Sequence, residues 1–493
     1  MRRHEVLTQK NPILLNKMSS ALLSFLPTSA IQERVPERVM PKAVSSASVV
    51  TGRNKTRYNA ISGQTYSSNG QTIITWRITD TQAFLDLSTA YIHFRLSGLT
   101  GDTVPDDLAS SVFDRCRVSV NGVLVEDVTD VNVKATADMY AGGSRDFYDS
   151  AHGQYAGSWK WANNAYGFQS TGNGVDYRSS VFSQEVIQGG NYAADSTGVS
   201  FAVPLSFLTG VAKMSQYFPL RLMGNLEIVL FLATGDTACW SKGGAGTTAF
   251  TLQDVTLDVD TLTLAPVVVA AYDKLASADS SEGGVVMPVD VITTNRINYS
   301  SGAGSKTLQV SRGTTQLLGI TLVKRDSNDL ADKTKLSLSS FEPFGPVSYQ
   351  TQIGAVLFPS FKDDSFSRMW ASTSKAYGKY ANQISSGLIT RDHYQDDTPI
   401  QSATAAYPSV LVAAADTDHL LGQHIYALTY EQELYESVDL QGISTLASGS
   451  VIQVQVEDSP AANGCAGTPV ANVFIRSRRY IQLANQSVQV IGN

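Results

Sequence analysis

The chain is short of charge. Only 16% of its 493 residues are Asp, Glu, Lys or Arg, against about 25% in ordinary soluble domains. With 43% hydrophobic residues it can bury a large core, which excludes disorder throughout, but its exterior must be neutral and polar or covered by a partner. Cysteine is scarce too. Cys116, Cys239 and Cys465 are far apart and form no C-x-x-C pair, so a disulfide framework is excluded and free thiols of a reducing compartment are expected. The sequons at Asn54, Asn298 and Asn485 then carry no sugar. No apolar run approaches the ~20 residues of a membrane span; the pieces at 226–233 and 265–271 are of strand length. Arg2 and Arg3 are followed by an apolar stretch, 21–26, too short for a secretory signal. The expectation is a soluble protein that is not secreted.

Catalytic signatures are also missing. The six histidines (His4, His93, His152, His393, His419, His424) form neither H-E-x-x-H nor H-x-H. Asp416, Asp418, His419 and His424 cluster without a common metal spacing, in a loop-like context. The run from Ser301 to Thr307 imitates the end of a P-loop, but Ser305 stands where glycine should precede the lysine and strand candidates lie on both sides, so a hairpin loop is expected. The neighbouring carboxylates Asp363/Asp364 and Asp396/Asp397 are expected to be solvated or capping groups, not a glycosidase pair. No catalytic residue, metal ligand, cofactor site or small-molecule substrate is assigned, and an enzyme is not expected.

What is present is a marked charge asymmetry. Residues 1–57 carry ten basic and three acidic side chains, so they are +7 while the remaining 436 residues are −14. An acidic body argues against wrapping nucleic acid; a basic arm can touch anionic lipid, nucleic acid or an acidic neighbour. Within the arm Met18, Leu22, Phe25 and Leu26 share a helical face that Pro27 stops. This amphipathic helix is expected to dock on protein in preference to a membrane. With Met18, Leu22 and Phe25, the nearby Arg34 and Arg38 are the candidate contacts of this arm.

Beyond residue 60 the pattern changes to short strands. Candidates are 72–78, 90–96, 117–120 and 123–128, 199–203, 225–232 and 250–264. Asn121-Gly122 between the third and fourth is a hairpin signal, because a type I′ turn needs positive φ at both positions. Val255, Leu257 and Val259 alternate before the phase slips to Leu262 and Leu264, which predicts a bulge near Asp260-Thr261. A helix is expected over 131–140. Residues 141–198 are a long Gly-, Ser- and aromatic-rich excursion, and a loop of that length is usually functional or partner-bound. The second half repeats the style at 285–293, 307–310, 316–324, 354–358, 424–430, 450–456 and 473–476, with one helix whose face holds Phe366, Met369, Trp370, Thr373 and Tyr377. The predicted class is all-β: two tandem jelly-roll β-sandwiches with a few short helices and long inter-strand loops. The predicted domains are a basic arm over 1–60, a first jelly roll over 61–270, a linker over 271–284 and a second jelly roll over 285–493.

The succession of segments is similar to that of a known family. Phe84-Leu85-Asp86-Leu87 leads into the strand at 91–96, and the hairpin about Asn121-Gly122 follows. Next come Phe201-Ala202-Val203-Pro204-Leu205 and Phe218-Pro219-Leu220. In the second half Gln316-Leu317-Leu318-Gly319-Ile320, Ile353-Gly354, Phe358-Pro359, Ala376-Tyr377-Gly378 and Gln441-Gly442-Ile443-Ser444-Thr445 keep the order. The chain thus resembles the double jelly-roll major capsid proteins of the adenovirus and tectivirus lineage, most closely those of polinton-like viruses and virophages. The resemblance covers roughly 60–493 through loose motifs, none of which carries chemistry. It implies pseudo-hexagonal homotrimers that tile an icosahedral shell and assemble inside the host cell. It also implies towers built from the long loops, penton and minor capsid proteins as further partners, and an internal membrane or the genome facing the arm. Trp159 and Trp161, in the aromatic excursion, are the candidate trimer contacts. Two other expectations stay open: another virion structural protein such as a spike or fibre, and a two-domain β-sandwich hydrolase.

Overall fold

The computed structural model describes residues 50–492 apart from 81–83, 100–102, 144–168, 172–173, 177–198, 242–246, 277–284, 334–336, 379–388, 390–393, 396–422, 432–441, 447–450, 485–486 and positions 107, 215, 312, 331, 339 and 346. Alternation of buried and half-exposed side chains builds the strands. In Leu226–Leu232 and Val451–Asp458 every second residue points into a core, as a strand with one covered face requires.

Among the described residues, sixteen strands build four antiparallel sheets, beside a few shorter pairings. The first eight are β1 (Val50–Asn59), β2 (Ile73–Ile78), β3 (Phe84–Ser97), β4 (Phe113–Val120), β5 (Val123–Thr129), β6 (Val199–Pro204), β7 (Leu226–Leu232) and β8 (Thr251–Leu264). They form one sheet ordered β1-β8-β3-β6 and a second ordered β2-β7-β4-β5. The next eight are β9 (Val285–Asn298), β10 (Gly304–Ser311), β11 (Gln316–Asp326), β12 (Ser348–Ile353), β13 (Val356–Asp363), β14 (Ile425–Thr429), β15 (Val451–Asp458) and β16 (Pro469–Ala484). They pair as β9-β16-β11-β14 and β10-β15-β12-β13. Counted from one to eight, both sets obey the same order, 1-8-3-6 and 2-7-4-5, so the jelly-roll winding occurs twice. A last strand, β17 (Ser487–Ile491), pairs back on β16.

In each set the two sheets meet through aromatic side chains. Phe94 of β3 packs edge-on against Phe113 of β4 at 5.6 Å between ring centroids. Tyr349 of β12 stacks on Tyr426 of β14 at 4.4 Å. Trp76 of β2 is fully buried. Cys116, Cys239 and Cys465 are free and buried, and burial pushes the Cys116 thiol upward.

Several sequence expectations agree with these elements. Asn121 (φ 49°) and Gly122 (φ 79°) make the β4–β5 turn. The ladder of β8 on β3 slips between Asp258 and Asp260, at the predicted bulge. Helix α1 (Val131–Gly142) follows β5, and helix α3 (Phe366–Ala376) follows β13 with Ser365 as its N-cap and Met369 and Thr373 buried.

Others need correction. Residues 50–59, expected in the arm, form β1. They carry almost no apolar alternation because the strand lies at a sheet edge with most side chains in solvent, held by its ladder to β8 and by Arg53–Asp260 (2.6 Å) and Arg57–Asp258 (3.0 Å) pairs. The apolar piece at 265–271 belongs to helix α2 (Pro266–Ala276). Pro266 has no N–H for a ladder, and its fixed φ suits the first helical position. Ser301 to Ala303 do not close a hairpin: β9 and β10 lie in different sheets. Gly354, expected within a strand, has φ 60° and turns the chain between β12 and β13. Finally, 473–476 is the middle of the sixteen-residue β16, whose length was hidden because Arg476, Arg478 and Arg479 interrupt its apolar run.

Candidate assembly site: the joint and the exposed edge

Residues 50–492 cluster as one compact unit, and a joint between the two sandwiches holds them together. Its centre is Glu126, buried on β5. Gly210 N donates to Oε1 (3.0 Å), Ile292 N on β9 to the same oxygen (2.7 Å) and Val211 N to Oε2 (3.2 Å), and the Thr209 hydroxyl also donates to Oε2. One carboxylate thus gathers backbone from both sandwiches. Burial pushes its pKa up and these four donors pull it down; burial prevails. Around it Arg479 of β16 donates to Val125 O (2.6 Å), Thr294 of β9 donates to Thr129 O (2.7 Å), Arg296 lies 3.7 Å from Asp130, and Leu338 N donates to Asp106 (2.8 Å). Gly210 sits so close to Asp290 O that a β-carbon would collide with it. No side chain larger than hydrogen fits there without moving backbone.

Beside the joint lies a cleft of 450 Å³ lined by Lys134, Asp138, Lys213, Tyr377 and Arg476, among others. Asp138 accepts from Lys134, from Lys213 (3.2 Å) and from the Tyr377 hydroxyl (3.1 Å). Burial alone would raise its pKa, but the two ammonium groups hold it well below the usual carboxylate range; burial lowers Lys134 to about 8. The polar groups of this cleft satisfy one another across α1 and α3, which makes it a structural knot.

The second sandwich has its own buried charge cluster. Asp458 of β15 accepts from Lys324 of β11 (2.9 Å), from Lys306 of β10 and from the Tyr299 hydroxyl (2.9 Å), tying one sheet to the other. Close by, His424 is packed against Tyr349, Tyr394 and Phe366, and its Nδ1 lies 3.1 Å from Tyr394 O. The carbonyl can only accept, so Nδ1 carries the proton. Burial, with the Lys324 charge adding to it, lowers His424 to about 3. Its folded pKa lies below its unfolded value near 6.5, so the unfolded state takes up the proton first and stability falls as pH drops below about 6.5. The expected loss between pH 7 and pH 5 is about 2 kcal/mol. Urea melts of wild type and His424→Phe measure it: the variant should lack this part of the slope, and equal slopes would refute the assignment. The structure thus places His424 in an aromatic core; Asp416, Asp418 and His419 lie outside the described residues. Asp363 accepts from Ser372 (2.8 Å) and Tyr426 (2.9 Å), and Asp364 pairs with Arg368 at 2.7 Å.

The largest apolar exposure on a single strand is on β13, which pairs only with β12 among the described strands. Val356 is 67% exposed, Leu357 42% and Phe361 59%. Edge strands are normally blunted with charge or proline; this one has Pro359 and a half-exposed Lys362 but also these three exposed apolar side chains, a patch of the kind that interfaces use. The candidate contacts Met18, Leu22, Phe25, Arg34, Arg38, Trp159 and Trp161 all lie outside the described residues. Sequence reasoning missed Glu126, Asp458 and Phe361. For Glu126 the sequence offers no signal, because Asp127 follows it and two neighbouring carboxylates in a strand read as solvent-facing.

Two windings of one jelly-roll order, joined edge to edge, define the double jelly-roll fold. Solved structures share it. A chain of the Sputnik virophage cryo-EM structure superposes with a TM-score of 0.55 at 10% identity, over 95% of this chain and 93% of that one. The Faustovirus major capsid protein gives 0.53 at 11% identity over 91% and 93%, and a chain of the PBCV-1 virus capsid 0.52 at 9% over 91% and 98%. No family model and no curated protein matches the sequence. At such identities the likeness is one of fold.

Proposed function

We propose that this chain is a major capsid protein, located in the virion, whose homotrimers are pseudo-hexameric blocks of an icosahedral shell. The observation that carries this reading is the duplicated jelly roll. Three copies of a subunit with two equivalent sandwiches present six similar faces, so one gene product fills a hexagonal lattice, and a closed threefold ring buries the contact edges. The fold likeness to chains from virus capsids, the low charge of the sequence and the apolar side chains exposed on β13 support it. The role is structural, with further copies as the main partner. Penton and minor capsid proteins complete the shell, and the basic arm meets an adjacent block, an internal membrane or the genome.

Assembly of the purified chain tests the reading. Full-length protein should form hexagonal arrays or shells in electron micrographs. Removing residues 1–45 should leave the trimer intact and lower shell yield. Elongated rods would favour a fibre, and loss of trimerisation on truncation would contradict an arm that lies outside the trimer contacts.

A further inference from the structure

Among the ion pairs of the described residues, Lys324–Asp458 is the most enclosed, with 1% and 0% of the two side chains exposed. The Lys324 ammonium sits against the rings of Phe344 and Tyr349, 5.5 and 5.2 Å from their centroids. It donates to Pro343 O and, at 2.9 Å, to Asp458 Oδ2. Phe344 has a positive φ of 59°, a shape that a bulky residue keeps only where its surroundings impose it. That turn sets Pro343 O and the Phe344 ring against the lysine.

Asp458 is gripped from two further sides. Lys306 donates to Oδ1 and to the main-chain oxygen of Asp458 (2.9 Å), and the Tyr299 hydroxyl donates to Oδ2 (2.9 Å). Burial, with the Asp458 charge adding to it, pushes Tyr299 far up, so it stays a hydroxyl donor. Burial lowers Lys324 to about 8, although the charges of Asp458 and Glu342 oppose the shift. About one Lys324 in ten is then the free amine at neutral pH. An amine and a carboxyl group are thus fixed in hydrogen-bond contact away from water, with donors on both carboxyl oxygens. Such fixed proximity replaces very high reactant concentrations, and joining the two groups removes a pair of buried charges that are costly to hold.

We propose that Lys324 and Asp458 condense after folding into a side-chain amide, a covalent tie between β11 of one sheet and β15 of the other. A proton passes from Nζ to Oδ2 along their hydrogen bond, and the neutral amine attacks Cγ. The negative charge that develops on Oδ1 is held by the Lys306 ammonium. A second proton leaves Nζ for Oδ2, the Cγ–Oδ2 bond breaks with the Tyr299 hydroxyl bonded to the departing oxygen, and one water is released. The amide keeps one hydrogen on Nζ and Oδ1 as its carbonyl, so atoms and charge balance without an oxidant. The bond closes a loop across 134 sequence positions, and a cross-link over so long a loop restricts the unfolded chain strongly. Cys116, Cys239 and Cys465 are free and supply no such staple.

The intact mass of the full chain, measured under denaturing conditions after incubation of the folded protein at neutral pH, tests the bond. Wild type should weigh one water less than its sequence, and peptide mapping should find Lys324 joined to Asp458. Lys324→Arg, and independently Asp458→Ala, should keep the full sequence mass. A folded wild type that holds its full mass through prolonged incubation would overturn the proposal, and so would a branch carried by Lys306. Neither result touches the capsid reading, which rests on the winding of the strands.

Discussion

Glu126→Leu should lower unfolding stability by about 4 to 6 kcal/mol. The substitution strands four donors, the Thr209 hydroxyl and the N–H groups of Gly210, Val211 and Ile292, around a buried position. An unsatisfied buried donor costs about 1–3 kcal/mol, and four that share one acceptor fall short of additivity because backbone can relax around them. Set against the about 5–15 kcal/mol that holds a typical domain together, such a loss approaches unfolding. Glu126→Gln, which keeps the shape and one acceptor, should cost clearly less. Urea melts of the three proteins provide the test; a leucine variant within 1 kcal/mol of wild type would show that the joint is held by packing alone.

The second large effect concerns Asp458. Removing it with Asp458→Ala leaves Lys324 and Lys306 without their carboxylate and Tyr299 without its acceptor. Breaking a buried pair in this way costs about 3–5 kcal/mol, far more than the intact pair contributes against an apolar substitute. Adding Lys324→Met to Asp458→Ala should therefore restore part of the loss. The exposed pair Lys362–Glu457 is the internal control: at 3.2 Å with both side chains about half in solvent, its disruption should cost less than about 1 kcal/mol. Equal costs for the two carboxylates would mean that burial is not what gives Asp458 its weight.

Much of the fold is visible in local pattern because jelly-roll strands have one covered face. Leu226–Leu232 and Val451–Asp458 announce themselves by period-two alternation, and Asn121-Gly122 by its demand for positive φ. β1 escapes the same logic, since a strand with most of its side chains in solvent has no apolar register to read. β16 escapes it because its arginines are buried by partners, Asp290 for Arg478 and Val125 O for Arg479, that sit far away in sequence. The joint fails to show for the same reason. Glu126 gathers residues 83 to 166 positions distant, and nothing about a glutamate in a strand tells whether it meets water or four donors.

On the proposed function the duplicated sandwich acts as a self-assembling block. The most direct measurement is the native mass of the purified chain together with its outline in negative stain. Three times the 53.0 kDa chain mass and particles of hexagonal outline are expected. A monomer across the accessible concentration range, or an elongated particle, would contradict it.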